Sequence, residues 1–332
     1  MEIAVLGAGS IGCYLGGLLT AAEAKVTLIG RERYAAEIAE HGLTLTHLSR
    51  NPEILTEVDF QTGYDRLGTV DVILLCTKSQ DTEEAAQIIL KNARPNVQVI
   101  SFQNGIRNPQ TLRHALPDAD IIAGIVPFNV TPMGSGVFHC GTAGNLVTGP
   151  GVNPAVIEGF ENSGQAIDVD PDITAAQWAK MIVNLNNALN ALSGGTLREG
   201  LSQRDYRRAL ALCVEEAITV ARANGVEPSA FNGRKPAQLL NALRLPNWIY
   251  KIVMQLIVKI DDKARSSMLD DLEGGRISEV EYIQGEIVAR AAKAKVPAPY
   301  NAKILQITRY AFAAGRSPKM TGAQIYAALP AA

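Results

Sequence analysis

The chain has 332 residues, 47% of them apolar and 19% charged. That is an ordinary globular balance, long enough for two cores, and it excludes extended disorder and a disulfide-stapled miniature. Lys and Arg total 31 against 33 Asp and Glu, a formal charge of −2, so no global field draws in nucleic acid or an anionic membrane, and neither is expected as a partner.

In chain order, Ile3-Ala-Val-Leu6 reads as a buried strand, followed by a glycine turn and an apolar helix to about residue 22. Residues 3–22 carry no charge and superficially resemble a signal or membrane segment, but Glu2 precedes them and Gly7, Gly9, Gly12, Gly16 and Gly17 interrupt them. Residues 25–29, 70–76 and 97–101 read as further strands, with a helix over 83–90. Strand and helix alternating this way predict a doubly wound parallel sheet covered on both faces. Residues 119–150 hold short β-rich runs and glycine turns, read as antiparallel strands added at the sheet edge.

Beyond Asp170-Pro171-Asp172 helical patterns take over, at 175–192, 203–224, 236–243, 247–263, 278–293 and 301–314. The expected organisation is therefore an α/β Rossmann-like domain over 1–170 and an all-helical domain over 171–332, with the active site in the cleft between them. Residues 248–260 are apolar but too short to span a bilayer and contain Lys251 and Lys259, which suits an amphipathic helix facing a core. Long apolar helices of this kind also suggest a homodimer built through the second domain. Cys13, Cys76, Cys140 and Cys213 form no CxxC pair, and His41, His47, His114 and His139 form no HxxxH or HExxH pattern. No metal site is expected, and the thiols read as space-filling in a reduced, cytoplasmic protein.

Gly7, Ala8, Gly9, Ser10, Ile11 and Gly12 spell GxGxxG between a strand and a helix, the context that marks a dinucleotide-binding turn. Gly7 permits the turn, Gly9 admits a pyrophosphate, and Gly12 allows close packing of helix on strand. The second strand ends in Gly30-Arg31, with Arg33 close by. A carboxylate there would accept from the ribose hydroxyls of NAD; a guanidinium suits the 2′-phosphate of NADP, although Glu32 intervenes and a solvated basic turn remains open.

Taken together, this glycine loop, Arg31, Thr77-Lys78, Gln103-Asn104-Gly105, Trp178-x-Lys180-x-x-x-Asn184 and Ser266-Ser267-Met268-Leu269-x-Asp271 through Glu279 resemble the ketopantoate reductase family. The last two motifs are much more specific than the glycine loop. The resemblance implies reduction of 2-dehydropantoate, a small 2-oxo acid, to (R)-pantoate with NADPH, on the route to pantothenate and coenzyme A.

The residues make chemical sense on their own. Reducing a ketone requires a proton donor within hydrogen-bond reach of the carbonyl oxygen. No histidine has a suitable context, whereas a partly desolvated Lys180 would have a lowered pKa and would stabilise a developing alkoxide. From the residues alone a surface lysine fits position 180 equally well; the resemblance implies the donor. Asn184 lies four residues on, on the same helix face, suited to a substrate hydroxyl. The family commonly carries a second asparagine four residues further; here that position is Ala188, and Asn187 is the substitute candidate. Asn184, Asn186, Asn187 and Asn190 crowd seven positions, which helix propensity disfavours and a polar cleft would explain. The resemblance implies that Ser267 contacts substrate and that Glu279 holds the substrate hydroxyl and pairs with Lys180. Ser278-x-x-Glu281 reads as a capping box placing Glu279 in a first helical turn. Lys78 and Asn104 follow strand ends, where an open parallel sheet builds its ligand crevice; Lys78 suits ribose, phosphate or substrate, and Asn104 suits the nicotinamide, the substrate or the donor lysine.

Overall fold

The structure is a computed structural model that describes residues 1–48, 50–231, 233–250, 252 and 264–331. The chain forms two compact units, Met1–Ile173 and Thr174–Ala332.

The first unit contains β1 (Glu2–Leu6), α1 (Ser10–Ala21), β2 (Lys25–Ile29), α2 (Glu32–His41), β3 (Leu43–His47), β4 (Arg50–Leu55), β5 (Asp59–Gln61), β6 (Val72–Leu75), α3 (Thr82–Asn92), β7 (Gln98–Ser101), α4 (Asn108–Ala115), β8 (Asp120–Ile125), β9 (Val130–Gly134), β10 (Val137–Cys140), β11 (Leu146–Thr148), α5 (Pro154–Asn162) and β12 (Ile167–Val169). Eight strands form one sheet in the order β12-β11-β8-β7-β6-β1-β2-β5. From β5 through β8 all neighbours are parallel. The alternation along β1 explains the layering: Ile3 and Val5 enter a core shared with Leu15 and Leu19 of α1, while Ala4 and Leu6 enter one shared with Ala85 and Ile89 of α3. A parallel strand buried on both faces needs apolar residues at every position, as Val72-Ile-Leu-Leu75 supplies in β6.

The chain runs outward from β1 in one direction through β2 and in the other through β6, so the sheet switches direction between β1 and β6. Carboxyl ends at such a switch leave a crevice for ligands. The expected edge strands at 119–150 divide differently. β8 joins the parallel sheet, β11 pairs antiparallel to it, and β12 pairs parallel to β11. β9 and β10 are antiparallel to each other but belong to a separate four-stranded sheet in the order β4-β3-β10-β9. Their partner β3 lies about 90 residues earlier in the chain, a long-range choice that local alternation cannot reveal.

The second unit is helical: α6 (Ile173–Asn184), α7 (Asn186–Ser193), α8 (Leu197–Ser202), α9 (Arg204–Ala223), α10 (Pro236–Leu243), then helices Ser267–Glu273, Gln284–Ala294, Pro299–Ala313 and Gly322–Ala328. α6 and α7 replace the single expected helix at 175–192. The break falls at Leu185, whose N–H donates three residues back to the Ile182 carbonyl at 3.3 Å, a 3-10 turn. The buried Gln284 amide donates to the Leu185 carbonyl at 2.8 Å and pins this break. The helix expected at 278–293 begins later. Ser278 Oγ accepts from the Val280 N–H at 3.1 Å, a short turn follows over Val280–Tyr282, and the α-helix starts at Gln284. The capping box does not form, because both Glu281 oxygens accept from Arg309, at 2.6 and 2.7 Å. Most of the expected helix at 247–263 lies outside the described residues.

No disulfide forms among the described residues. Cys13, Cys140 and Cys213 are buried, and burial pushes the Cys13 thiol up to about 12, leaving it protonated and inert. Among the described residues no group of three His, Cys, Asp or Glu side chains is placed to hold a metal, and no helix is long and apolar enough to cross a membrane.

Candidate active site

The glycine loop bridges β1 and α1. Gly7 adopts φ +96°, and a Cβ there would lie 2.5 Å from the Thr77 backbone nitrogen. The turn thus folds directly against the chain leaving β6, at the sheet's switch point, and no L side chain fits. The N–H groups of Gly7 and Ala8 donate to the Ile29 carbonyl at 3.0 and 2.9 Å, which ties the loop to the end of β2. A Cβ at Gly12 would stand 2.4 Å from the Gly7 carbonyl oxygen. Gly9 differs: its Cβ would have no neighbour nearer than 4.0 Å. Gly7 and Gly12 are therefore closed by this chain's own atoms, while Gly9 opens onto space.

Gly9 is also the N-cap of α1, with no side-chain cap and no acidic residue in the first turn. The leading N–H groups of a helix have no intrahelical acceptor, and their dipole favours an anion. Ser10 and Ile11 lie in this turn, so the backbone of residues 9–12 forms a cradle suited to a pyrophosphate.

At the end of β2, a Cβ on Gly30 would meet Ala8 Cβ, Ala8 O and Phe60 Cζ, each at 2.9 Å. A carboxylate has no room there. Instead two guanidinium groups face the buried Tyr34 ring, Arg31 at 5.7 Å and Arg33 at 4.5 Å from its centroid, and Arg33 also donates to the Tyr34 hydroxyl at 2.8 Å. Arg31 is exposed. An aromatic ring thus underlies both guanidinium groups at this corner. These features fit a nicotinamide dinucleotide.

Lys78 and Asn104 are half-buried in the loops that leave β6 and β7. Beneath them lies a buried polar cluster that sequence reading missed apart from Gln103. The Gln103 amide donates to Thr77 Oγ1 at 3.1 Å, the Lys78 carbonyl at 3.3 Å and Thr82 Oγ1 at 2.9 Å. Asn108 donates to the Asn104 carbonyl at 2.7 Å and to Ser79 Oγ at 3.1 Å.

In the second unit Lys180 projects from α6, two residues after the fully buried Trp178. Burial lowers its ammonium from the ordinary lysine range to about 8, and the Glu279 charge opposes that fall. Glu279 is buried and sits just ahead of the Val280–Tyr282 turn. Upstream, the buried Asp271 closes the turn after the Ser267–Glu273 helix, accepting from Arg276 Nε at 2.7 Å and, through its carbonyl, from the Arg276 N–H at 2.8 Å.

The four asparagines separate into two kinds. Asn190 is fully buried; its Oδ1 accepts from the Ser266 N–H at 2.9 Å and its Nδ2 donates to the Gly195 carbonyl at 3.0 Å. Asn186 Oδ1 accepts from the Tyr206 hydroxyl at 2.8 Å. These two hold the fold. Asn184 and Asn187 are half-buried, and the Asn187 carbonyl accepts from Ser266 Oγ at 3.2 Å. Ala188 is fully buried. Of the serine pair, Ser266 is the buried N-cap, accepting from the Leu269 N–H at 3.2 Å, and Ser267 is exposed.

Two family descriptions match the chain, "Ketopantoate reductase PanE/ApbA" over residues 3–153 and "Ketopantoate reductase PanE/ApbA C terminal" over 172–311. A relative in Pyrococcus abyssi named 2-dehydropantoate 2-reductase is 31% identical over 320 residues, spanning 91% of this chain and 94% of its own. A crystal structure of a PanE/ApbA family ketopantoate reductase from Ralstonia eutropha superposes with a TM-score of 0.82 at 27% identity, covering 95% of this chain and 99% of that one. D-mandelate dehydrogenase with NADH and anilino(oxo)acetate shares the fold at a TM-score of 0.74 and 19% identity, over 95% of this chain and 99% of its own.

Proposed function

The chain belongs to the ketopantoate reductase family and is an oxidoreductase acting on a CH–OH group, and from that premise we propose that it reduces 2-dehydropantoate to (R)-pantoate with NADPH, Lys180 giving the proton. The reading is carried by the half-buried Lys180, set two residues after the buried Trp178 on α6: desolvation lowers its ammonium to about 8 against the opposing Glu279 charge. At pH 7 such a group stays mostly protonated, yet releases its proton more readily than an ordinary lysine.

In the first unit, the open face above Gly9 and the N–H groups of Ser10, Ile11 and Gly12 hold the pyrophosphate, and Ala8 lines the turn. Arg31 pairs with the 2′-phosphate. Lys78 and Asn104 face the ribose and nicotinamide side, Asn104 also serving substrate. When bound, the reduced nicotinamide supplies the hydride. In the second unit, Lys180 gives its proton to the oxygen of the substrate carbonyl as the new C–H bond forms on carbon, and the resulting neutral amine regains a proton from water. Glu279 keeps Lys180 charged in the resting enzyme and accepts from the substrate hydroxyl. Asn184 and Asn187 donate to substrate oxygens, and Ser267 contacts the carboxylate or hydroxyl. A cytoplasmic homodimer in pantothenate and coenzyme A synthesis completes the reading.

A second reading, favoured by Ala188, is reduction of another branched 2-oxo acid that lacks the terminal hydroxyl. A panel of 2-oxo acids assayed by oxidation of NADPH and NADH side by side decides. Fastest turnover on 2-dehydropantoate with NADPH supports the first reading. Equal or faster turnover on acids without the hydroxyl supports the second. NADPH binding with no turnover on any acid removes both and leaves a nucleotide-binding regulator.

A further inference from the structure

The polar cluster under Lys78 and Asn104 links two loops that leave adjacent strands. Its members are Ser79, Ser101, Gln103, Thr82 and Asn108, all buried. Thr82 Oγ1 is its hub: it accepts from Gln103 Nε2 at 2.9 Å and donates toward the Ser79 carbonyl at 2.7 Å and Asn108 Oδ1 at 3.3 Å. Ser79 Oγ and Asn108 Nδ2 both donate to the Asn104 carbonyl, at 2.8 and 2.7 Å. Ser101 Oγ donates to Gln103 Oε1 at 3.0 Å, fixing which way that amide faces.

Five polar side chains with two carboxamides are an expensive way to fill a core. Buried polar groups contribute little net stability when paired, and each one left unpaired is destabilising. Apolar side chains would pack the same space with less risk. What the cluster supplies instead is geometry, since its directional bonds grip the backbone carbonyls of Lys78, Ser79 and Asn104.

We propose that Thr82, Gln103 and Asn108 are positioning residues for the reduction: through the Lys78 and Asn104 carbonyls they hold both side chains in the register that hydride transfer requires. The inference rests on the proposed reaction, because it concerns the same site. Residues held this way act on the chemical step more than on cofactor affinity, because small misplacements at a reacting centre slow turnover steeply.

The test uses Thr82→Val, which keeps the shape and removes the hub hydroxyl, with Thr82→Ser as the conservative rescue. Thr82→Val is expected to lower kcat by about tenfold or more while the KM for NADPH changes by less than about threefold, and to enlarge the isotope effect from NADPH deuterated at the transferred hydrogen. Thr82→Ser should stay within about twofold of the parent enzyme. If Thr82→Val fails to fold, Gln103→Met, of similar length and without hydrogen bonds to either loop, carries the same expectations. Amide hydrogen exchange separates this inference from the proposed reaction. A parent enzyme inactive on every oxo acid overturns the reaction, while faster exchange at residues 104–107 in Thr82→Val still supports the coupling of the two loops. Unchanged exchange in that segment, or an unchanged kcat and isotope effect in an active enzyme, overturns the inference.

Discussion

Glu279 opposes what burial does to Lys180. Burial drives the lysine's proton affinity down and the Glu279 charge pulls it back, so the ammonium settles at about 8. As the proton donor, Lys180 must carry its proton. The kcat/KM for oxo-acid reduction is therefore expected to be level below pH 7 and to fall about tenfold per unit above pH 8, while oxidation of the hydroxy acid gains over the same range. Glu279→Gln removes the opposing charge and should move the falling limb to lower pH. A profile unmoved by Glu279→Gln would mean that this carboxylate does not act on the group that titrates.

The three glycines of the cofactor turn should respond differently to alanine. Gly9→Ala meets no atom of this chain within 4 Å other than the Gly7 carbonyl oxygen at 4.0 Å, so it should fold with a Tm close to the parent and raise the KM for NADPH about tenfold or more by filling the pyrophosphate's place. Gly7→Ala and Gly12→Ala drive a methyl to 2.5 Å from the Thr77 nitrogen and 2.4 Å from the Gly7 oxygen. Both should lower Tm by several degrees, equivalent to about 1–3 kcal/mol. Thermal melts beside cofactor titrations check the contrast.

Cofactor choice should reside in Arg31. Arg31→Ala is expected to weaken NADPH binding by about tenfold or more and to leave NADH nearly untouched, as measured by fluorescence titration of each. The usual route to an NAD enzyme, an acidic residue at the end of β2, is closed at Gly30, where any Cβ meets Ala8 and Phe60 at 2.9 Å. Gly30→Asp should therefore lose stability without gaining NADH affinity.

The asparagines of α6 and α7 offer a further contrast. Asn190→Ala strips partners from the Ser266 N–H and the Gly195 carbonyl and should cost about 2 kcal/mol in a denaturant melt. Asn184→Ala, at a half-buried position, should leave stability within about 0.5 kcal/mol and raise the KM for the oxo acid severalfold.

Much of this was legible in the sequence. The GxGxxG turn was readable because its three glycines obey a local steric rule between a strand and a helix that are themselves local. The pairing of β3 with β10 was not, because strand partners are chosen over long separations. That Lys180 and Asn184 share one helix face follows from helix geometry, while the donor role of Lys180 came from the family resemblance. The division of the asparagines does not, since Asn186 and Asn190 are claimed by Tyr206, Gly195 and Ser266, which no periodicity predicts. The capping box at Ser278 failed for a similar reason: Arg309, 28 residues along the chain, takes both oxygens of Glu281. Thr82 and Asn108 left no signal beyond their nearness to Thr77-Lys78 and Gln103-Asn104-Gly105.

The most direct test is the single-turnover rate of 2-dehydropantoate reduction by Lys180→Ala, with NADPH binding measured on the same sample. Cofactor affinity near that of the parent, together with a rate lower by about 10²–10⁴-fold, is the predicted result. A variant that binds NADPH normally and reduces the oxo acid at the parent rate would contradict the role given to Lys180.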